Sequence, residues 1–164
     1  MDLLTHFQML ARYNRIANER LYQSCAQLDD GEYRRQRAGS FGSIHALLNH
    51  ILLADGIWMS RFRGTGQATP PLNTVLFEEF SELRSAREKE DTEIESFFGG
   101  LDASFFDREL VYVNSLKREC HDPISMAISH CFNHQTHHRG QIHVMLSQTA
   151  VRPPALDLHR IINK

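Results

Sequence analysis

The sequence predicts an all-α protein, a four-helix bundle with a long crossing before the last helix. Three observations lead there. Apolar residues recur at spacings of three and four along four long stretches. Glycine and proline pairs punctuate the chain between them. The composition, 41% hydrophobic and 23% charged over 164 residues, is that of one globular domain spanning residues 1–164.

The first helix covers residues 3–28, with Leu3, Phe7, Leu10, Tyr13, Ala17, Leu21, Cys25 and Leu28 on its apolar stripe. Asp29-Asp30-Gly31 ends it, and a polar link runs on to Gly39. The second helix begins near Ser40–Ser43, where a serine can cap the free amides, and carries Ile44, Leu47, Leu48, Ile51, Leu52, Ala54, Trp58 and Phe62. Gly64-Thr65-Gly66 and Pro70-Pro71 break the pattern. The third helix spans about Thr74 to Phe98, and its charged middle, Arg84 to Glu95, reads as a solvated face. Gly99-Gly100 stop it. Residues 101–122 contain an extended-looking Leu110-Val-Tyr-Val, so a short hairpin or an irregular crossing belongs there. The fourth helix runs from Pro123, a favoured first helical residue, to about Gln148. Pro153-Pro154 prevent its extension and leave residues 151–164 as a tail able to pack back on the body.

Charge and cysteine usage exclude several classes. Eighteen Lys+Arg against 20 Asp+Glu give a net charge of -2 with no basic stripe, so nucleic acid is not an expected partner. No apolar run approaches the ~18 residues of a membrane span, so no membrane partner is expected either. The first residues, with Asp2 and no apolar h-region, read as a helix start, not a signal peptide. Cys25, Cys120 and Cys131 are odd in number and lack CxxC spacing, which fits reduced thiols in a cytoplasmic protein.

Histidine is the outlier. There are 10, and His121, His130, His134, His137, His138 and His143 fall in one stretch. His134 and His138, four apart, lie on one helix face about 40° apart around the axis, together with Ala127, Cys131, Ile142 and Met145. The pair therefore points toward the core. His130 and His137 fall on its edge, and His143 on the opposite side. Two imidazoles rarely complete a metal site. His50, at the border of the apolar stripe of the second helix, is the best third donor, whereas His45 projects about 140° away. Three neutral imidazoles with open positions suit zinc, and also nickel, copper or iron. The plainer alternative is that these are hydrogen-bonded core histidines. Cys131 reads as a small buried hydrophobe, Met126, Met145 and Trp58 as core, and Arg139 has no assigned role.

The chain resembles the DinB family, within the DinB/YfiT-like superfamily of metalloenzymes. The likeness rests on Ala17-Asn18-Glu19-Arg20-Leu21-Tyr22, Phe41-Gly42-Ser43-Ile44, Leu48-Asn49-His50-Ile51-Leu52-Leu53-Ala54-Asp55, Ile57-Trp58 and, most specifically, Phe132-Asn133-His134-Gln135-Thr136-His137-His138-Arg139-Gly140-Gln141. Pro153-Pro154 and Asp157-Leu158 extend it almost to the end of the chain. Two departures, Ala150 before the proline pair and Leu-Lys-Arg without glycine after the Asn114-Ser115 turn, touch loops only. The resemblance implies an up-down-down-up bundle, often a homodimer, with a divalent metal, zinc or nickel, held by His50, His134 and His138. It implies a metal-dependent hydrolase or thiol S-transferase acting on a small-molecule substrate, with a low-molecular-weight thiol as candidate partner. Asp55 and His137 are candidate bases there, and Gln141 a candidate support for a ligand. A non-catalytic, damage-inducible metal-binding bundle is the alternative, and a plain helical interaction module would hold no metal at all.

Overall fold

The computed structural model describes residues 1–66 and 69–163. Four long helices form the body: α1 (Leu3–Cys25), α3 (Ile44–Phe62), α4 (Phe80–Gly99) and α5 (Ile124–Leu146). Two short helices, α2 (Asp30–Arg34) and α6 (Leu158–Ile162), one 3-10 helix (Ala103–Asp107) and one hairpin, β1 (Glu109–Val113) with β2 (Glu119–Pro123), complete the described elements.

Local chemistry sets the helix starts. Asp2 accepts from the Thr5 amide at 2.8 Å, and Ser43 accepts from the Ala46 amide at 3.1 Å, each satisfying a free donor of the first turn. Asp29 caps α2 in the same way, so part of the link expected between the first two long helices is itself helical. The helix α1 stops at Cys25, three residues before its expected end. The start of α4 differs more: the helix begins at Phe80, not near Thr74. Asn49 on α3 explains this, because its Oδ1 accepts from the amides of Leu76 and Phe77, both at 2.9 Å, and its Nδ2 donates to the Phe77 carbonyl. A side chain that takes these backbone groups leaves them unavailable to a helix. The hairpin that the sequence allowed is present, with Tyr112 opposite Cys120, and Lys117 occupies a left-handed conformation (φ 61°) in its turn, where a glycine is absent.

Side-chain pairs give the helix directions. Gln8 meets Phe98 and Asn18 meets Asp91, so α1 and α4 are antiparallel. Phe7 meets Phe132 and Asn14 meets Arg139, so α1 and α5 run parallel. His50 meets His134 while Trp58 meets His130, so α3 opposes α5. The order is up-down-down-up, and α3 packs between α4 and α5, across from α1. The tail returns along α1, where Ile161 packs near Tyr13 and Ala17, and the Tyr13 hydroxyl donates to the Leu156 carbonyl at 2.8 Å.

The core is divided. One apolar half contains Phe7, Met59, Phe98, Phe106 and Phe132, with Phe7 stacked on Phe106 at 5.4 Å. The other contains Leu21, Ile44, Leu48, Leu83, Ile142 and Leu146. Burying each such side chain stabilises the fold by about 1.5–3 kcal/mol. Between the halves lies a polar waist drawn from all four long helices. Arg87 pairs with Asp55 at 2.6 Å and with Asp91 at 3.0 Å. Asn18 donates to Asp91 at 2.9 Å. Gln135 donates to Asp55, and Arg139 donates to Asn14, Asn18 and Gln135. All of these residues are buried. The charged middle of α4 is thus not wholly solvated, since Arg87 and Asp91 face inward. Asp55 and Arg139 are structural members of the waist. Burial opposes the charge on Arg87, and Asp91 and Asp55 more than offset it, holding the guanidinium firmly protonated. Met126 is exposed, contrary to its expected core position, while Met145 is buried. No helix among the described residues is long and apolar enough to cross a membrane.

Candidate metal centre

His50 reaches the α3–α5 seam from the middle of α3, and His134 and His138 meet it from successive turns of α5. One ligand atom from each of the three lies within 4.8 Å of the others. The Nε2 atoms of His50 and His134 are 3.1 Å apart. Two nitrogens bound to one zinc at ~2.0–2.1 Å are separated by roughly 2.9 Å at a right angle and about 3.3 Å at the tetrahedral angle. The observed spacing lies between these values, so this pair fits a shared ion, and a His138 nitrogen lies within 4.8 Å of both.

Two of the outer nitrogens are also committed. His50 Nδ1 lies 2.8 Å from the Leu72 carbonyl, which can only accept, so Nδ1 carries the proton and Nε2 presents a lone pair. His138 Nδ1 donates to Gln141 Oε1 at 3.0 Å, which likewise leaves its Nε2 free to ligate. Gln141 turns its amide nitrogen to His137 Nε2 at 3.0 Å. Gly42, at φ 75°, lets the loop before α3 turn so that Phe41 stacks on His50 at 3.9 Å and meets His138 edge-on at 5.7 Å. Burial and then the neighbouring imidazoles push His134 down to about 3. Burial lowers His50 and His138 as well, against the opposing hydrogen bonds to Leu72 and Gln141. All three rings are neutral donors near pH 7, the form a cation requires.

The structure brings together the three histidines and Gln141. It separates the other candidates. Asp55 is held by Arg87 in the waist, so it is no base at this site. His137 is exposed, meeting the cluster edge-on at the His138 ring and through the Gln141 amide, with its Nε2 taken by Gln141. Cys131 is buried, with its Sγ 4.0 Å from Asp55. His130 is exposed beside Trp58, and His45 turns away to the Tyr33 hydroxyl at 3.2 Å. Sequence reasoning missed the Leu72 carbonyl and the Phe41 lid. A main-chain acceptor leaves no signal in a sequence, whereas Phe41 stood directly before the helix carrying His50. A cavity of about 260 Å³ opens onto His50 and His134, with Trp58, Arg61 and Tyr112 among its other walls.

An up-down-down-up bundle with three imidazoles gathered at the seam of two antiparallel helices defines a class of potential metal-site bundles. The chain belongs to the DinB family, whose model matches residues 3–163. Protein DinB of Bacillus subtilis (strain 168) is 28% identical over 148 residues, which cover 85% of this chain and 83% of that protein. The crystal structure of a DinB-like protein from Bacillus cereus ATCC 10987 matches with a TM-score of 0.64 at 18% identity, over 85% of this chain and 89% of that one. At that identity the likeness concerns the fold.

Proposed function

We propose that this chain binds one divalent transition metal, zinc or nickel, through His50, His134 and His138, and uses it as a metal-dependent hydrolase or thiol S-transferase. The observation that carries the proposal is the convergence of three neutral imidazoles, two of them with their outer nitrogens already bonded. When bound, such an ion supplies a Lewis acid that favours the deprotonated form of a water or thiol. The chain's own residues do the rest. Leu72 and Gln141 hold two rings in the ligating tautomer, Phe41 keeps bulk water off their faces, and the adjoining cavity admits a small molecule. That cavity favours a catalytic centre over a purely structural one, because structural sites are closed by protein ligands. A small-molecule substrate, with a low-molecular-weight thiol as co-substrate, fits its size.

The test is elemental analysis of protein purified without an affinity-tag metal column. About one zinc or nickel per chain is expected, falling to near zero in His134→Ala while the far-UV circular dichroism stays helical. Absence of stoichiometric metal in the parent protein defeats the proposal. Metal without turnover in hydrolase and thiol-transfer screens would favour the non-catalytic alternative.

A further inference from the structure

The cavity beside the histidines contains a cation that no acid among its described lining residues balances. Arg61 leaves the last turn of α3 and lies in the corner formed by two aromatic rings that meet edge-to-face, with its guanidinium carbon 4.6 Å from the Trp58 centroid and 4.4 Å from that of Tyr112. One N–H of its Nη2 donates to the Val113 carbonyl at 3.3 Å. Among the described residues, none of the ion pairs includes Arg61, and its other N–H groups meet no acceptor. This differs from Arg63, which pairs with Glu93, from buried Arg87, which pairs with Asp55 and Asp91, and from buried Arg139, whose donors are taken by Asn14, Asn18 and Gln135.

Arg61 lines the cavity that contains His50 and His134, and also a second cavity of about 370 Å³ on the hairpin side. Among the described residues, no aspartate or glutamate lines either one, and the only other formal charge there is that of Lys117, which lines the second cavity. Tyr112 is itself fixed, because its hydroxyl donates to Asp122 at 3.0 Å. The guanidinium is therefore held in place by two adjoining rings and the Val113 carbonyl, while its remaining N–H groups are free donors. Stacked, partly desolvated guanidiniums are well suited to a planar, singly charged acceptor, and a carboxylate matches their paired N–H groups.

We propose that Arg61, held in the corner of Trp58 and Tyr112, binds the carboxylate of a small-molecule ligand whose reacting end lies at the three histidines. The inference rests on the metal centre proposed above for the ligand's other end. The anion seat itself depends only on Arg61 and the two rings beside it. A single guanidinium offsets a single charge, so a monocarboxylate is the fitting class.

The chain has one tryptophan, and it is a wall of this seat, so Trp58 fluorescence reports occupancy directly. Zinc-loaded and metal-free protein would each be titrated with 3-mercaptopropionate and with its uncharged analogue 3-mercaptopropionamide, with calorimetry as a second readout. A charge-assisted hydrogen bond lost with the amide corresponds to about 10-fold to 100-fold in affinity, and the acid is expected to bind more tightly by that ratio. In Arg61→Gln the ratio is expected to fall to within about twofold, with the zinc content unchanged. Equal affinities on the zinc-loaded parent protein overturn the proposal even if the variant fails to fold. So does a ratio that survives Arg61→Gln, or no binding of either ligand. A protein that holds no zinc yet prefers the acid keeps the anion seat and removes the metal centre. A protein that holds zinc without that preference does the reverse.

Discussion

The imidazole cluster and the polar waist share two helices, α3 and α5, along which they lie about one turn apart. His50 and Asp55 both project from α3, and His134 sits next to Gln135 on α5, yet the two layers reach different electrostatic ends. In the waist, two guanidiniums and two carboxylates sum to zero formal charge, and amide side chains bridge them. In the cluster, three bases face one another with no acid among them. A buried polar group that already has its partners specifies structure. One that converges with its own kind has capacity left for an outside ligand. The comparison also explains why Asp55, chemically a plausible base, is unavailable for that task.

The largest expected effect lies in the waist. Asp55→Asn leaves Arg87 with Asp91 alone, and breaking a buried ion pair from one side costs about 3–5 kcal/mol. Urea denaturation is the measurement. A loss below about 1 kcal/mol would mean that the waist is not the layer that ties the four helices together. Gln141→Ala comes next and acts on the other layer. It removes the acceptor that orients His138, so metal affinity should fall about 10-fold to 100-fold while stability without metal barely changes. Competition with a chelator would read this, and an unchanged affinity would mean that the Gln141 bond does not set the tautomer.

The smallest effect sharpens what separates a ligand from an ordinary histidine. His45 is buried against Tyr33, and burial first, then Arg34, lowers its tendency to take a proton. The unfolded chain protonates this ring near pH 6.5 and the folded one does so only at lower pH. Its contribution is therefore complete above about pH 6.5 and is lost as the pH falls toward the folded value. In His45→Gln the decline of Tm between pH 7 and pH 5 should be shallower, with the metal content unaltered. A decline as steep as in the parent protein would assign the acid sensitivity to other groups.

Much of this was legible beforehand, for identifiable reasons. Long amphipathic helices announce themselves by period, so the four main helices and the inward direction of His134 and His138 could be read directly. The start of α4 could not, because Asn49, far away in sequence, captures Leu76 and Phe77. Nor could the waist, since Arg87 and Asp91 occupy a stretch whose charge density matches a solvated surface. Only the partners contributed by other helices bring them inside. The three candidate ligands were found because histidines on an apolar face are rare. The groups that support them were harder to see, since one is a backbone carbonyl and another an aromatic residue that core packing would equally explain.

The bond from His50 to the Leu72 carbonyl makes the crossing between α3 and α4 a clasp on the centre. Linkage requires that whatever tightens one end tightens the other by the same factor. Bound cation should thus slow cleavage of the peptide bonds around Leu72 by a protease, and a nick there should hasten escape of the ion to a chelator.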